Sequence, residues 1–210
     1  MGRLVGGING PVQGKIGTII GSSWKGIPYV KGPYKKRTTQ ISKLETRNRE
    51  KFAAAHFWLR PILEFVREGF KGYSPTVEGF IAAKSWLLRN AFEGVAPDFH
   101  INPALVKVSF GNLPLSSDIA VAKTVDGQLQ FTWSPAKVKG GYSKDQVMML
   151  AYDTEHADAY YNTIGQFRSA GADTLEVNTV SGMTYHVYFA FIADDRSRQS
   201  DSVYLGTITV

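Results

Sequence analysis

Apolar and polar positions divide the 210-residue chain into three stretches of different period. From residue 104 onward the alternation is strand-like. Leu129-Gln130-Phe131-Thr132-Trp133 and Thr184-Tyr185-His186-Val187-Tyr188-Phe189-Ala190-Phe191 repeat at every second position, as strands with one buried face do. Strands are predicted over 105–110, 128–133, 146–152, 159–164, 174–177, 185–193 and 202–210. Turn signals separate them at Asp126-Gly127, Gly140-Gly141, Gly171 and Ser181-Gly182. Seven short strands at this spacing describe an antiparallel β-sandwich.

Residues 42–94 change to a helical period. Ser42-Lys43-Leu44-Glu45 fits a capping box, and Phe52, Ala55, Leu59, Ile62/Leu63 and Val66 then recur at i, i+3, i+4 as one buried stripe. Pro61 has no N–H to donate and divides or kinks this helix, which ends at Gly69 and Gly72. Ser74-Pro75 reads as the start of a second helix, with Phe80, Ala83, Leu87 and Ala91 inward and Gly94 and Pro97 as its stop. Two amphipathic helices with a short connection predict a helical hairpin.

The first 41 residues show neither period for long. Thr18–Ile20 and Pro28–Val30 read as short extended pieces around a turn at Gly21-Ser22-Ser23. Gly10, Gly14, Gly17 and Gly21 are assigned to positive-φ turns or close backbone approaches. The predicted fold class is therefore α+β. It comprises a glycine-rich basic arm (1–41), a helical hairpin region (42–103) and a C-terminal sandwich (104–210).

Charge changes this picture more than overall composition does. The net charge of +6 is uneven: residues 1–60 hold twelve Lys/Arg against two Asp/Glu, and the remainder is net acidic. A basic front on an acidic body fits an anionic partner, or docking of one copy's front on another copy's body. The absence of cysteine excludes disulfides, thiolate metal sites and cysteine nucleophiles. No apolar run is long enough to span a bilayer, and the N-terminus lacks the apolar core of a secretory signal, so the expected location is the cytoplasm or an assembled particle.

Candidate chemistry is sparse. Gly10-Pro11-Val12-Gln13-Gly14-Lys15-Ile16 fails as a phosphate loop, since its glycines are one residue too close and Ile16 replaces the metal-facing hydroxyl. His56, His100, His156 and His186 are dispersed, and Asp153, Glu155, His156 and Asp158 read as an exposed acidic turn. No catalytic residue, cofactor or metal ligand is assigned, and the protein is expected not to be an enzyme. One constellation stands out. Trp24, Tyr29 and Tyr34 interleave with Lys25, Lys31, Lys35, Lys36 and Arg37, and Lys43, Arg47 and Lys51 follow at i, i+4, i+8. Stackable rings among cations suit a phosphate backbone. In the competing reading Trp24, Ile27 and Tyr29 anchor the arm into its own body.

Three stretches carry a resemblance. They are Gly14–Val30, with Gly21-Ser22-Ser23-Trp24-Lys25-Gly26-Ile27-Pro28-Tyr29-Val30 its most specific part, Ser85–Ala91 with Pro97-Asp98-Phe99, and the tail from His186 to Val210. Together they resemble a Bacteroidota family of similar length known as a domain of unknown function, a resemblance that implies no activity. Trp133 late in the second strand and Tyr185 early in the sixth resemble the core aromatics of a fibronectin type III-like (or Ig-like) domain. The run from Lys35 to Phe52 is more loosely similar to phage-associated proteins. The expectation is a structural or interaction protein whose basic arm mediates self-association or docking on a protein partner, with a phage-related particle as one setting. Nucleic-acid binding by the arm is the alternative. Carbohydrate or peptide recognition, by exposed aromatics such as Tyr160-Tyr161, is a third.

Overall fold

The computed structural model describes residues 2–4, 6–7, 10–95, 98–124, 127–178 and 182–210; Pro97, Asp126 and Ser181, named above as punctuation, lie outside them. The chain divides into two compact units, 1–42 and 43–210. In the first, β1 (Arg3–Leu4), β2 (Val12–Ile16), β3 (Ile19–Trp24) and β4 (Ile27–Lys31) form a sheet in sequence order, every neighbour antiparallel. The turn expected at 21–23 is not there, because Gly21, Ser22 and Ser23 are the middle of β3. Chain reversal occurs instead at Lys25-Gly26, both at positive φ, the geometry that matches the twist of a two-residue hairpin. Gly21 is buried, and a Cβ there would collide with the Val12 carbonyl oxygen.

The second unit opens with three helices, α1 (Lys43–Leu59), α2 (Leu63–Gly69) and α3 (Gly79–Asn90). Pro61 falls between α1 and α2, as its missing N–H requires. The helix expected from Ser74 begins later. Ser74 Oγ accepts from the Thr76 N–H in a local turn, and the α3 cap is Glu78 in an extended conformation. Gly79 opens α3 where a side chain would strike the backbone of Arg67 on α2. α3 packs against both α1 and α2, so the layer has three helices rather than a simple hairpin. The stripe Ala55, Leu59, Ile62 and Val66 is buried, whereas Phe52 is half exposed under the Lys84 ammonium.

After β5 (Phe92–Glu93) and β6 (His100–Ile101), seven strands form two antiparallel sheets. They are β7 (Ala120–Lys123), β8 (Leu129–Thr132), β9 (Gln146–Asp153), β10 (Asp158–Asn162), β11 (Ala172–Leu175), β12 (Thr184–Ile192) and β13 (Val203–Thr209). One sheet has the order β11-β8-β7 and the other β10-β9-β12-β13. Leu129, Phe131 and Leu175 of the first share a core with Val147, Met149, Ala151, Tyr185, Val187, Phe189 and Phe191 of the second, an arrangement consistent with a β-sandwich.

The opposite face of the larger sheet is buried too. Met148, Leu150, Tyr152, Tyr188, Ala190 and Ile192 pack under Leu59, Ile62, Phe65 and Leu87 of the helical layer. Strands covered on both sides lose their clean alternation, which is why 147–152 and 187–193 are almost continuously apolar. The two tyrosine hydroxyls on that face reach backbone acceptors, Tyr152 on Trp58 O at 2.9 Å and Tyr188 on Pro103 O at 2.7 Å. Each fully buried ring or branched chain contributes about 1.5–3 kcal/mol.

Two strand expectations need correction. Residues 105–110 bury Val106 and Val108 on alternation but join no ladder. The Asn102 side chain accepts from Ala104 N in a 3-10 turn, and the segment is then tied by single bonds, Phe110 N–H to Gly69 O and Val108 N–H to Ser202 Oγ. The seventh strand is β7, a largely exposed edge whose four residues, Ala-Val-Ala-Lys, carry almost no period. Among the described residues, no helix is long and apolar enough to cross a membrane.

Candidate interaction surface

The N-terminal sheet has two unlike faces, and the register defines them. Lys15 pairs with Ile20 and Ile20 with Lys31; Ser22 pairs with Tyr29, and Trp24 with Ile27. Cross-strand partners share a side of a sheet and successive residues alternate, so Lys15, Trp24, Ile27, Tyr29 and Lys31 project together. The other side carries Ile16 opposite Ile19, and Val30 opposite Gly21. It has no charged residue among those paired positions.

Large side chains on both faces lie in solvent. Trp24 is 53% exposed, Tyr29 42%, Ile27 61% and Val30 58%. Trp24, Ile27 and Tyr29 therefore do not act as buried anchors. Among the described residues of this unit, only Gly21 is buried. Residues 1–42 contain seven Lys/Arg and no carboxylate side chain, so nothing in the segment neutralises the cations.

The eleven residues singled out from sequence fall into three structural settings. Trp24, Tyr29 and Lys31 lie on the first face, with Lys25 at the hairpin tip at φ 48°. Tyr34, Lys35, Lys36 and Arg37 follow in a segment without regular structure, where Tyr34 is 90% exposed. Arg37 Nε donates to Thr39 O at 3.0 Å. Lys43, Arg47 and Lys51 belong to α1 in the second unit, where the Lys51 ammonium sits over the Phe92 and Phe99 rings. Eight of the eleven lie in the first unit and three in the second. The first face also carries Ile27, placed by the β3–β4 register at the Lys25-Gly26 turn, and Lys15, placed by the β2–β3 register.

In the body, a concavity of about 640 Å³ lies between the segment 142–145 and the β12–β13 loop and includes Asp145, Asp194, Asp195 and Arg198. Beside it lies a buried ion pair. Arg168, 2% exposed, reaches Asp145 Oδ2 through Nε at 3.2 Å and Nη2 at 3.1 Å, and donates to Ser116 Oγ and Pro114 O. Its guanidinium also lies 3.9 Å from the Phe191 ring centre, and burial lowers its pKa against the pull of Asp145. This carboxylate holds loops together.

The acidic turn between β9 and β10 is closed by Asp153, whose Oδ2 lies 2.6 Å from His156 Nδ1 and whose Oδ1 accepts two turn N–H groups. Among the described residues, no group of three or more His, Asp or Glu could hold a metal ion. Tyr160 and Tyr161 pack on opposite faces of β10, against Tyr185 and Phe65 respectively. They therefore form no flat exposed row for a sugar or peptide.

A family model described as a family of unknown function, DUF6266, matches residues 11–206. No curated protein and no solved structure matches the chain.

Proposed function

The chain belongs to the DUF6266 family of unknown function, and we propose that it is a non-enzymatic structural protein that self-assembles through its N-terminal sheet. One observation carries this reading: a four-stranded sheet on which Leu4, Ile16, Ile19, Trp24, Ile27, Tyr29 and Val30 are all exposed. A second copy of the same chain is the partner that fits the Ile16–Ile19–Val30 face. That face is uncharged while its reverse is cationic, so two copies stack apolar side to apolar side and keep like charges apart. Pairing through the β4 edge is disfavoured, since Pro28 removes a donor and Lys31 brings charge, two devices that blunt exposed edges.

Three strands of five or six residues and the two-residue β1 span a face of roughly 300 Å². Such a contact is small beside the roughly 1,600 Å² buried in standard interfaces. It works in multiples, as one of several contacts in a particle-like assembly. The Bacteroidota family and phage-related particle evoked by the Gly21–Val30 string and the Lys35–Phe52 run fit this use.

The body is read as a fibronectin type III-like sandwich carrying a helical layer. Support comes from the three- and four-stranded orders, the buried Trp133, and Tyr185, whose hydroxyl donates to Asn178 O at 3.0 Å upstream of its strand. Sedimentation equilibrium tests the assembly. The mean mass of the full chain is expected to rise with concentration, in the range of about 0.1–1 mM expected for a contact this small. Ile19→Thr with Val30→Thr, which keeps strand propensity, should abolish that rise. A full chain that stays monomeric, or an unchanged rise in the variant, refutes the proposal.

A further inference from the structure

We propose that the opposite face of the same sheet, built on Lys15, Trp24, Tyr29 and Lys31, binds single-stranded nucleic acid. This inference does not depend on self-assembly, which uses the reverse face. Trp24 and Tyr29 lie on neighbouring strands and are diagonal across the Trp24–Ile27 and Ser22–Tyr29 pairs. Diagonal positions on one sheet face are about 7–8 Å apart, within reach of neighbouring bases of an extended strand. Both rings are open to solvent, and an exposed ring on a sheet is a stacking platform for an unpaired base.

The charges complete the match. Lys15 and Lys31 flank Ile20 across three strands, on the same side as the rings. Tyr34, Lys35 and Lys36 follow within five residues of β4 in a segment free of regular structure, adding one ring and two cations to the exit path. With no carboxylate in residues 1–42, a phosphate backbone meets only attraction. A duplex buries the base faces that these rings would stack on, so the arrangement selects single strands. The shared chemistry covers DNA and RNA, which the test separates.

Fluorescence anisotropy with labelled dT20 and rU20 tests this on the full chain. Binding is expected at about 50 mM salt, where the counterion term is large. If Lys15, Lys31, Lys35 and Lys36 each neutralise one phosphate, log K falls with log[salt] at a slope of about −2.8. Lys15→Gln with Lys31→Gln should reduce that slope by about 1.4. Trp24→Ala should weaken binding about 5- to 150-fold at unchanged slope, and Trp24→Phe should recover most of it.

A preference for rU20 or dT20 identifies the sugar recognised, and either supports the proposal. Absence of binding to both at low salt overturns it. So does a Trp24→Ala affinity within twofold of the parent chain. It also fails if a duplex of equal length, or phosphatidylserine vesicles, displaces the probe at lower phosphate concentration than unlabelled dT20. Ile19→Thr with Val30→Thr should leave dT20 affinity unchanged, which separates a failure of this site from a failure of self-assembly.

Discussion

Replacing Arg168 by Met probes what holds the loop end of the sandwich together. In the parent chain the guanidinium makes three hydrogen bonds, one each to Asp145 Oδ2, Ser116 Oγ and Pro114 O, brings Nη2 within 3.1 Å of the same Asp145 oxygen, and lies over Phe191. Met fills much of the volume but offers no donor. Asp145, whose side chain is only 1% exposed, would keep the Tyr142 N–H at 2.8 Å as a donor to Oδ2, and its Oδ1 has no partner already. Stranding one member of a buried pair costs about 3–5 kcal/mol, and here that figure is the expected loss. Changing Asp145→Asn in the same chain removes the stranded charge, and stability should return to within about 1–2 kcal/mol of the parent. Guanidinium unfolding at neutral pH reads both numbers, provided the m-value is unchanged. A single-variant loss below about 1 kcal/mol, or a double variant as unstable as the sum of its parts, would refute the claim that the pair acts as a unit.

Two further outcomes follow from particular groups. The His156 ring is held above its usual 6.5 by its bond to Asp153 and by that charge, so its stabilising contribution is full below pH 6.5 and disappears as pH rises through the raised value. For Asp153, burial pushes the carboxyl up, but the His156 ring and two turn N–H groups outweigh it and hold it below 3.8; its contribution is present above 3.8 and lost as pH falls through the lowered value. The melting-temperature gap between the parent chain and His156→Ala should therefore be clear near pH 5 and gone near pH 9, and a gap independent of pH would sink this account. Gly21→Ala places a methyl against the Val12 carbonyl while sparing every cation and ring, so it should open the curl between β2 and β3. If a preformed face is what binds, dT20 affinity should fall toward that of Trp24→Ala at unchanged salt slope; unchanged affinity would mean that the sheet contributes nothing beyond its charge.

Sequence periodicity located what depends on one partner and failed where two partners compete. Strand β8 is legible from alternation because only one of its faces meets an apolar core, with Leu129 and Phe131 inward and Gln130 and Thr132 outward. The second core over Met148, Leu150 and Tyr188 was not anticipated, since a doubly covered strand reads only as a short apolar run. Residues 105–110 alternate as a strand would, but their bonds go one at a time to Gly69 and Ser202, and burial pattern cannot distinguish that from a ladder. In the arm, the turn expected at 21–23 lies a few positions later, at Lys25-Gly26. Gly21 is a strand residue rather than part of a turn, and the close backbone approach expected of it is that of Val12. The error hid Lys15, which joins the rings only in the true register. Arg168 and Asp145 lie 23 residues apart and off any period, so nothing in the sequence pairs them.

The two units solve the energetics of folding in opposite ways, and the difference argues for a partner. In residues 43–210, nearly every ring on β9 and β12 points into one of two cores, and that burial offsets the cost of ordering the chain. In residues 1–42, four strands are ordered while Ile16, Ile19, Trp24, Ile27, Tyr29 and Val30 remain in water. Fixing a residue's backbone costs about 1–2 kcal/mol, and a small sheet that buries a single glycine has little apolar burial to set against that cost. A tight Lys25-Gly26 hairpin and the ladder bonds shape such a sheet, and in the proposed reading the burial that stabilises it comes from a partner. Rings with cations on one side and branched aliphatics on the other fit two different contacts. The exposed side chains on each face are then the surface that binding removes from water.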